Sequence, residues 1–146
     1  MKISVDSRII HWQAANAIAV AAIVKAEELG IAINVAVVDS GGNLVAFLRM
    51  PNAFLHSIDI AKDKAYTSAG FGFPTSAWKD IFDNEAMLEK GIPLRKRLVV
   101  FGGGIPIQIN GNLGGIGVSG GTEEQDIICA EAGLAAITIK NKSSYA

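Results

Sequence analysis

The chain alternates between long apolar stretches and short polar interruptions, and the spacing of those interruptions indicates the type of each element. In SRIIHWQAANAIAVAAIVKAEELG, residues 7–30, polar positions thin to Gln13, Asn16 and the terminal Lys25, Glu27 and Glu28. Apolar residues cover far more of the circumference than one core-facing stripe needs. The pattern predicts a helix capped by Asp6 or Ser7 and closed at Gly30. Such a helix is buried on two sides, one by its own sheet and one by a neighbouring subunit. Two β-rich runs follow, 31–38 and 44–49, around DSGGN, which has the composition of a tight turn. HSIDIAKDKAYTSAGF then returns to helical spacing, with Ile58, Ala61 and Ala65 on one side and Lys62, Asp63 and Tyr66 nearer the other. PTSAWKDIFDNEAML reads as a further short helix opened by Pro74 and Thr75.

The C-terminal half supplies strands near 97–101, 105–109 and 112–119. Asn110-Gly111 joins the last two and is the strongest hairpin signal in the chain. Thr122-Glu-Glu-Gln125 is a capping box that opens the final helix. The order α-β-β-α-α-β-β-β-α predicts one α+β domain over 1–146, a five-stranded antiparallel sheet flanked by helices.

Half of the 146 residues are hydrophobic and 18% are charged, and mean hydropathy is +0.34. That is rich for a small soluble monomer and points to a homo-oligomer, a dimer or higher. A net charge of −1 argues against nucleic acid or an anionic membrane as partner. Cys129 is the only cysteine, which excludes an intramolecular disulfide and a cysteine-built zinc site. Asp6, Arg8 and His11 interrupt the N-terminal segment where a signal peptide needs an apolar core. Lys25 breaks the Ala-rich stretch before it could span a bilayer. The expectation is a cytoplasmic protein.

Gly115, Gly117 and Gly120 spell G-x-G-x-x-G, the spacing of dinucleotide loops, but the context is wrong. The first two glycines fall inside a hairpin strand, and no acidic residue follows about 20 positions on. Glu123, Glu124 and Asp126 would also repel a phosphate from the helix N-terminus. Gly115 and Gly117 share one strand face, which is kept bare for a closely packed helix or for a flat ligand. FGGGIP, residues 101–106, is either a strand corner or a set of backbone N–H groups offered to a ligand anion. His56 and His11 are the only histidines. Each is an ordinary helix residue or a metal-facing imidazole. Asp39, Arg49, Lys62 and Lys64 could converge on one rim to hold a carboxylate or polarise a carbonyl, or could form solvated ion pairs. No Ser-His-Asp order or nucleophile elbow is present.

VAVVDSGGNLVAFLRM, SIDIAKDKAYTSAGF, GGGIPI and NGNLGGIGVSGGTEEQD occur in that order along the chain. Together they resemble the GlcG/HbpS family, also found as the C-terminal domain of PduO-type proteins. The resemblance implies a profilin- and sensor-domain-like sheet, oligomeric assembly, and haem or another tetrapyrrole as the ligand class. It also implies an association with glycolate, glycerol or propanediol metabolism. The first helix lacks the Glu-x-x-Glu pattern linked with iron in the haem-sensing members. Matched motifs carry over Asp39, Arg49, Lys64, Thr67, Gly103, Pro106, Ser119 and Gly120 as ligand-binding positions. His56 or His11 is the candidate haem ligand. The expected pocket lies between the Gly-rich strands and the 56–70 helix, at a subunit boundary. Two alternatives stay open: a cofactor-free enzyme on hydroxy acids or diol-derived aldehydes with Asp39 or Lys64 as acid–base group, and an accessory partner of a larger enzyme.

Overall fold

A sheet of four antiparallel strands divides the molecule into two layers. The computed structural model describes the backbone of residues 1–144 and the side chains of residues 1–138. The strands are β1 (Asn34–Asp39), β2 (Leu44–Arg49), β3 (Gly104–Gln108) and β4 (Asn112–Ser119), in the spatial order β2-β1-β4-β3. On one face lie α1 (Trp12–Leu29) and α5 (Glu123–Ser144). Val35, Val37, Ile116 and Val118 of the sheet pack there against Ile18, Ala19 and Ala22 of α1 and Cys129 and Ala130 of α5. On the other face α2 (His56–Phe71) sets Ala61, Ala65 and Ala69 on Ala36 and Val38. The central strand β1 is therefore buried on both sides, and its residues 35–38 form an unbroken apolar run.

The expected fifth strand, near 97–101, does not form. Arg97 has φ 61°, which breaks an extended run. Its guanidinium carbon sits 3.8 Å from the Tyr66 ring centroid and its Nε donates to Asp63 at 3.0 Å. The segment lies along α2 instead of pairing in the sheet. Thr67 replaces the missing ladder: its hydroxyl donates to the Arg97 carbonyl at 2.9 Å and accepts the Val99 N–H at 3.1 Å. The sheet thus has four strands, and the α+β layering is kept.

The first helix also starts later than its cap signals suggest. Residues before Trp12 are held extended by tertiary hydrogen bonds that a helix would forfeit. Ile10 N–H donates to the Leu113 carbonyl at 3.0 Å, and the Ser40 hydroxyl donates to the Arg8 carbonyl at 2.8 Å. His11 becomes the N-cap, its Nδ1 accepting the Gln13 N–H at 3.1 Å. The 74–88 stretch is likewise broken up, into a 3-10 turn at Thr75–Ala77, then α3 (Trp78–Phe82) and α4 (Ala86–Gly91). Trp78 is buried among Phe71, Phe73 and Phe82 and anchors this excursion.

Other local signals are realised as written. Asn110 and Gly111 turn the β3–β4 hairpin with φ 53° and 112°. The capping box closes reciprocally: Thr122 N–H donates to Gln125 Oε1 at 2.9 Å, and Gln125 N–H donates to Thr122 Oγ1 at 3.2 Å.

Candidate functional site

The bare strand face is taken by a helix. A methyl group added at Gly115 would lie 2.5 Å from the Ala65 carbonyl and 2.6 Å from Ser68 Oγ, and one at Gly117 would collide with the Ala61 carbonyl. No flat ligand fits between β4 and α2, because the α2 backbone already occupies that space.

Beside this contact, Lys64 crosses the end of the sheet. It is 1% exposed, and its Nζ donates to the Val118 carbonyl at 2.8 Å and to Asp126 Oδ2 at 3.0 Å. The Phe101 ring centroid is 5.1 Å away, a cation–π distance. Gly103, at φ 122°, leaves room for the ammonium: a Cβ there would approach Nζ to 2.6 Å. Burial lowers the Lys64 pKa, and the Asp126 charge and hydrogen bond oppose that shift. Burial likewise raises the Asp126 carboxyl, against Lys64 and the Gly121 N–H. Asp126 was not among the expected site residues. The signal for it is a lysine among alanines on a helix that covers glycines, since such an ammonium needs a buried counter-ion.

Backbone donors of the Gly-rich segments serve the chain's own carboxylates. Gly102 N–H donates to Glu123 Oε1 at 2.8 Å, and Gly121 N–H to Asp126 Oδ1 at 2.9 Å. Anion binding by these loops is satisfied internally.

The remaining expected positions divide between the two ends of the sheet. Arg49, Asn34 and Ser119 lie in one cross-strand row, Arg49 donating through Nη2 to the Ala53 carbonyl at 2.8 Å and Asn34 through Nδ2 to the Phe54 carbonyl at 3.0 Å. Gly120 follows with φ 147° against the Ala32 carbonyl. Asp39 is at the opposite end, about 17 Å along the strand at 3.3 Å per residue. Its Oδ1 accepts the N–H groups of Gly41 and Asn43 at 2.9 and 3.0 Å. Asp39 and Arg49 therefore do not share a rim. Pro106 pairs with Gly115 in the sheet, and Thr67 holds the 97–99 segment. His56 is exposed in the first turn of α2.

An open apolar cavity lined by a histidine is elsewhere, where the N-terminal segment meets α1. It encloses about 440 Å³ and is walled by Ile9, Ile10, Ala14, Ala17, Ile109 and Leu113, with Ile137 closing it from α5. Among the described residues, Arg8, His11 and Gln13 are its polar lining, and Arg8 is the only charged one of these. The Arg8 Nη1 donates to the carbonyls of Ile109 and Asn110 at 3.1 and 3.0 Å. Arg8 was read from sequence only as a break in a leader-like segment. Its place in the cavity depends on hydrogen bonds to the distant β3–β4 turn.

Residues 10–135 match the family model described as haem degrading protein HbpS-like. The chain belongs to the HbpS-like family. Among HbpS-like relatives, it is 42% identical over 128 residues to an uncharacterized 15.0 kDa protein from the dhaT-dhaS intergenic region of Citrobacter freundii, covering 86% of this chain and 89% of that one. It is 34% identical to the corrinoid adenosyltransferase PduO of Citrobacter freundii over 90% of its own length but only 40% of PduO. The chain thus spans less than half of that relative. The solved structure of a PduOC:heme complex superposes with a TM-score of 0.78 at 29% identity, covering 88% of this chain and 94% of the other. No helix among the described residues is long and apolar enough to cross a membrane.

Proposed function

We propose that this HbpS-like chain binds haem or a related tetrapyrrole in the cavity at the N-terminus of α1, as a cytoplasmic homo-oligomer. The observation that carries the reading is the cavity itself. Its volume of about 440 Å³ falls within the range of roughly 300–1,000 Å³ typical of small-molecule sites. Its walls are aliphatic, with one arginine and one histidine among the lining residues, which suits a flat apolar ring system with polar substituents. Haem, when bound, supplies an iron centre inside such a ring. Arg8 and His11 are the residues to meet its polar groups, in place of Arg49, Lys64 and His56. The PduOC:heme complex supports the ligand class, and the PduO and GlcG relatives support the association with propanediol- and glycolate-type metabolism.

The oligomer reading draws support from α1. Trp12, Val20 and Val24 are exposed along one stripe of the helix, beside Leu48 of the edge strand β2. A second copy covering this stripe would remove the apolar surface that a monomer leaves in water. The enzyme alternative draws on Asp39 and Lys64, and both are engaged in internal hydrogen bonds, so no observation favours it.

The test is an absorbance titration with haemin at micromolar protein. We expect a saturable Soret shift that survives His56→Ala and disappears in Ala17→Trp, which fills the cavity. Absence of a Soret shift in the wild type, or equal binding by Ala17→Trp, would overturn the proposal.

A further inference from the structure

We infer that the α1 cavity anchors its ligand through a carboxylate rather than through a metal. This rests on the reading that the cavity is a ligand site, and it narrows the ligand class to an apolar body bearing an ionised acid, with or without a bound metal. Two side chains carry the inference.

The first is Arg8. Among the described residues it is the only charged one lining the cavity, and no aspartate or glutamate among them lines it. Nη1 is held by the two carbonyls of the β3–β4 turn, and the Arg8 backbone is held by Ser40 and, two residues on, by the Ile10–Leu113 hydrogen bond. Among the described residues, Nε and Nη2 have no protein partner. A guanidinium fixed at one nitrogen still presents N–H groups in the planar fork that matches a carboxylate. Because the fork is already positioned, little side-chain entropy is lost on binding.

The second is His11. Its Nδ1 accepts the Gln13 N–H at 3.1 Å, so the proton of the neutral ring sits on Nε2. That nitrogen is then a hydrogen-bond donor and has no lone pair for a metal. Ligation through Nε2 would move the proton to Nδ1, where it would face the Gln13 N–H and cancel the helix cap. As built, Arg8 and His11 both offer N–H groups, and both suit an oxyanion.

The experiment uses the full chain and fluorescence titration with metal-free protoporphyrin IX, its dimethyl ester, and, as a non-tetrapyrrole probe, 1-pyrenebutyric acid against its methyl ester. We expect protoporphyrin IX to bind within about threefold of haemin. Each acid should bind roughly ten- to a hundredfold more tightly than its ester, the range for charge-assisted hydrogen bonds. Arg8→Gln should abolish that preference, acid and ester then binding alike, and Arg8→Lys should restore part of it, with thermal melts confirming that both variants fold. Esters that bind as tightly as acids, or haemin binding without protoporphyrin IX binding, would overturn the inference. If the pyrene acid keeps its preference while neither tetrapyrrole binds, the carboxylate anchor stands and the tetrapyrrole reading falls.

Discussion

Lys64 Nζ lies 3.0 Å from Asp126 Oδ2, joining the helix on one face of the sheet to the first turn of the helix on the other. Both side chains are buried. Removing one partner leaves an uncompensated charge, which costs about 3–5 kcal/mol. We expect Asp126→Asn to lose that much stability at neutral pH in urea denaturation. The double change Lys64→Met with Asp126→Leu should recover most of the loss, because an apolar pair of similar volume needs no desolvation.

The same pair makes a pH prediction. Burial lowers the Lys64 pKa, and the charge and hydrogen bond of Asp126 oppose the shift, so Asp126→Asn lowers it further. Between the folded pKa and the ordinary lysine value the unfolded state binds more protons, and stability rises with pH there. That window opens at lower pH in the variant. The stability gap between wild type and Asp126→Asn should therefore narrow as pH rises from 7 toward 10. A gap that widens over this range would contradict the assignment.

At the β4–α2 contact, Gly117→Ala places a methyl group on the Ala61 carbonyl. Backbone cannot yield as a side-chain tip can, so α2 must lift along its length. Overpacking of this kind costs about 1–3 kcal/mol or more. Gly91→Ala, with open space around the added Cβ, should leave the melting temperature nearly unchanged and serves as the control.

Thr67→Val keeps the shape of the side chain and removes both hydrogen bonds to the 97–99 segment. The buried Val99 N–H loses its partner, at about 1–3 kcal/mol. Hydrogen exchange should show the Val99 amide losing protection ahead of the β1 amides.

Burial pushes the Cys129 thiol up to about 11. The thiolate is the reactive form, so the native protein should resist iodoacetamide at pH 8 and react only when unfolded. Rapid native labelling would show that α5 opens from the sheet.

On α1, Val20→Glu with Val24→Glu places two carboxylates on the exposed apolar stripe. If a second copy covers it, light scattering should report a lower mass than for wild type, with the melting temperature of the protomer little changed.

Legibility in the sequence followed the range of the interactions. The hairpin at Asn110-Gly111, the capping box at Thr122–Gln125, the span of α2 and the ends of β2 and β4 were readable, because each depends on residues a few positions apart. The family motifs marked positions that the structure brings together in part: Lys64 with Gly103, and Arg49 with Ser119 across Asn34. They did not reveal that Asp39 sits at the far end of the sheet, since strand direction and pairing decide which chain ends meet. Val99 and its neighbours have the composition of a strand, yet the Thr67 hydroxyl and the Arg97 backbone angle draw the segment away from the sheet edge.

The sequence by itself determined most of the elements, the α+β layering and the need for glycine at 115 and 117, because periodicity, turn chemistry and the missing Cβ atoms are local properties. Tertiary structure alone decided what the bare face meets, which carboxylate neutralises Lys64 and where a ligand can enter. Those outcomes turn on contacts between residues far apart in sequence, such as Lys64 with Val118, 54 positions apart, and Arg8 with Asn110, 102 positions apart, and only the folded chain brings such pairs within reach.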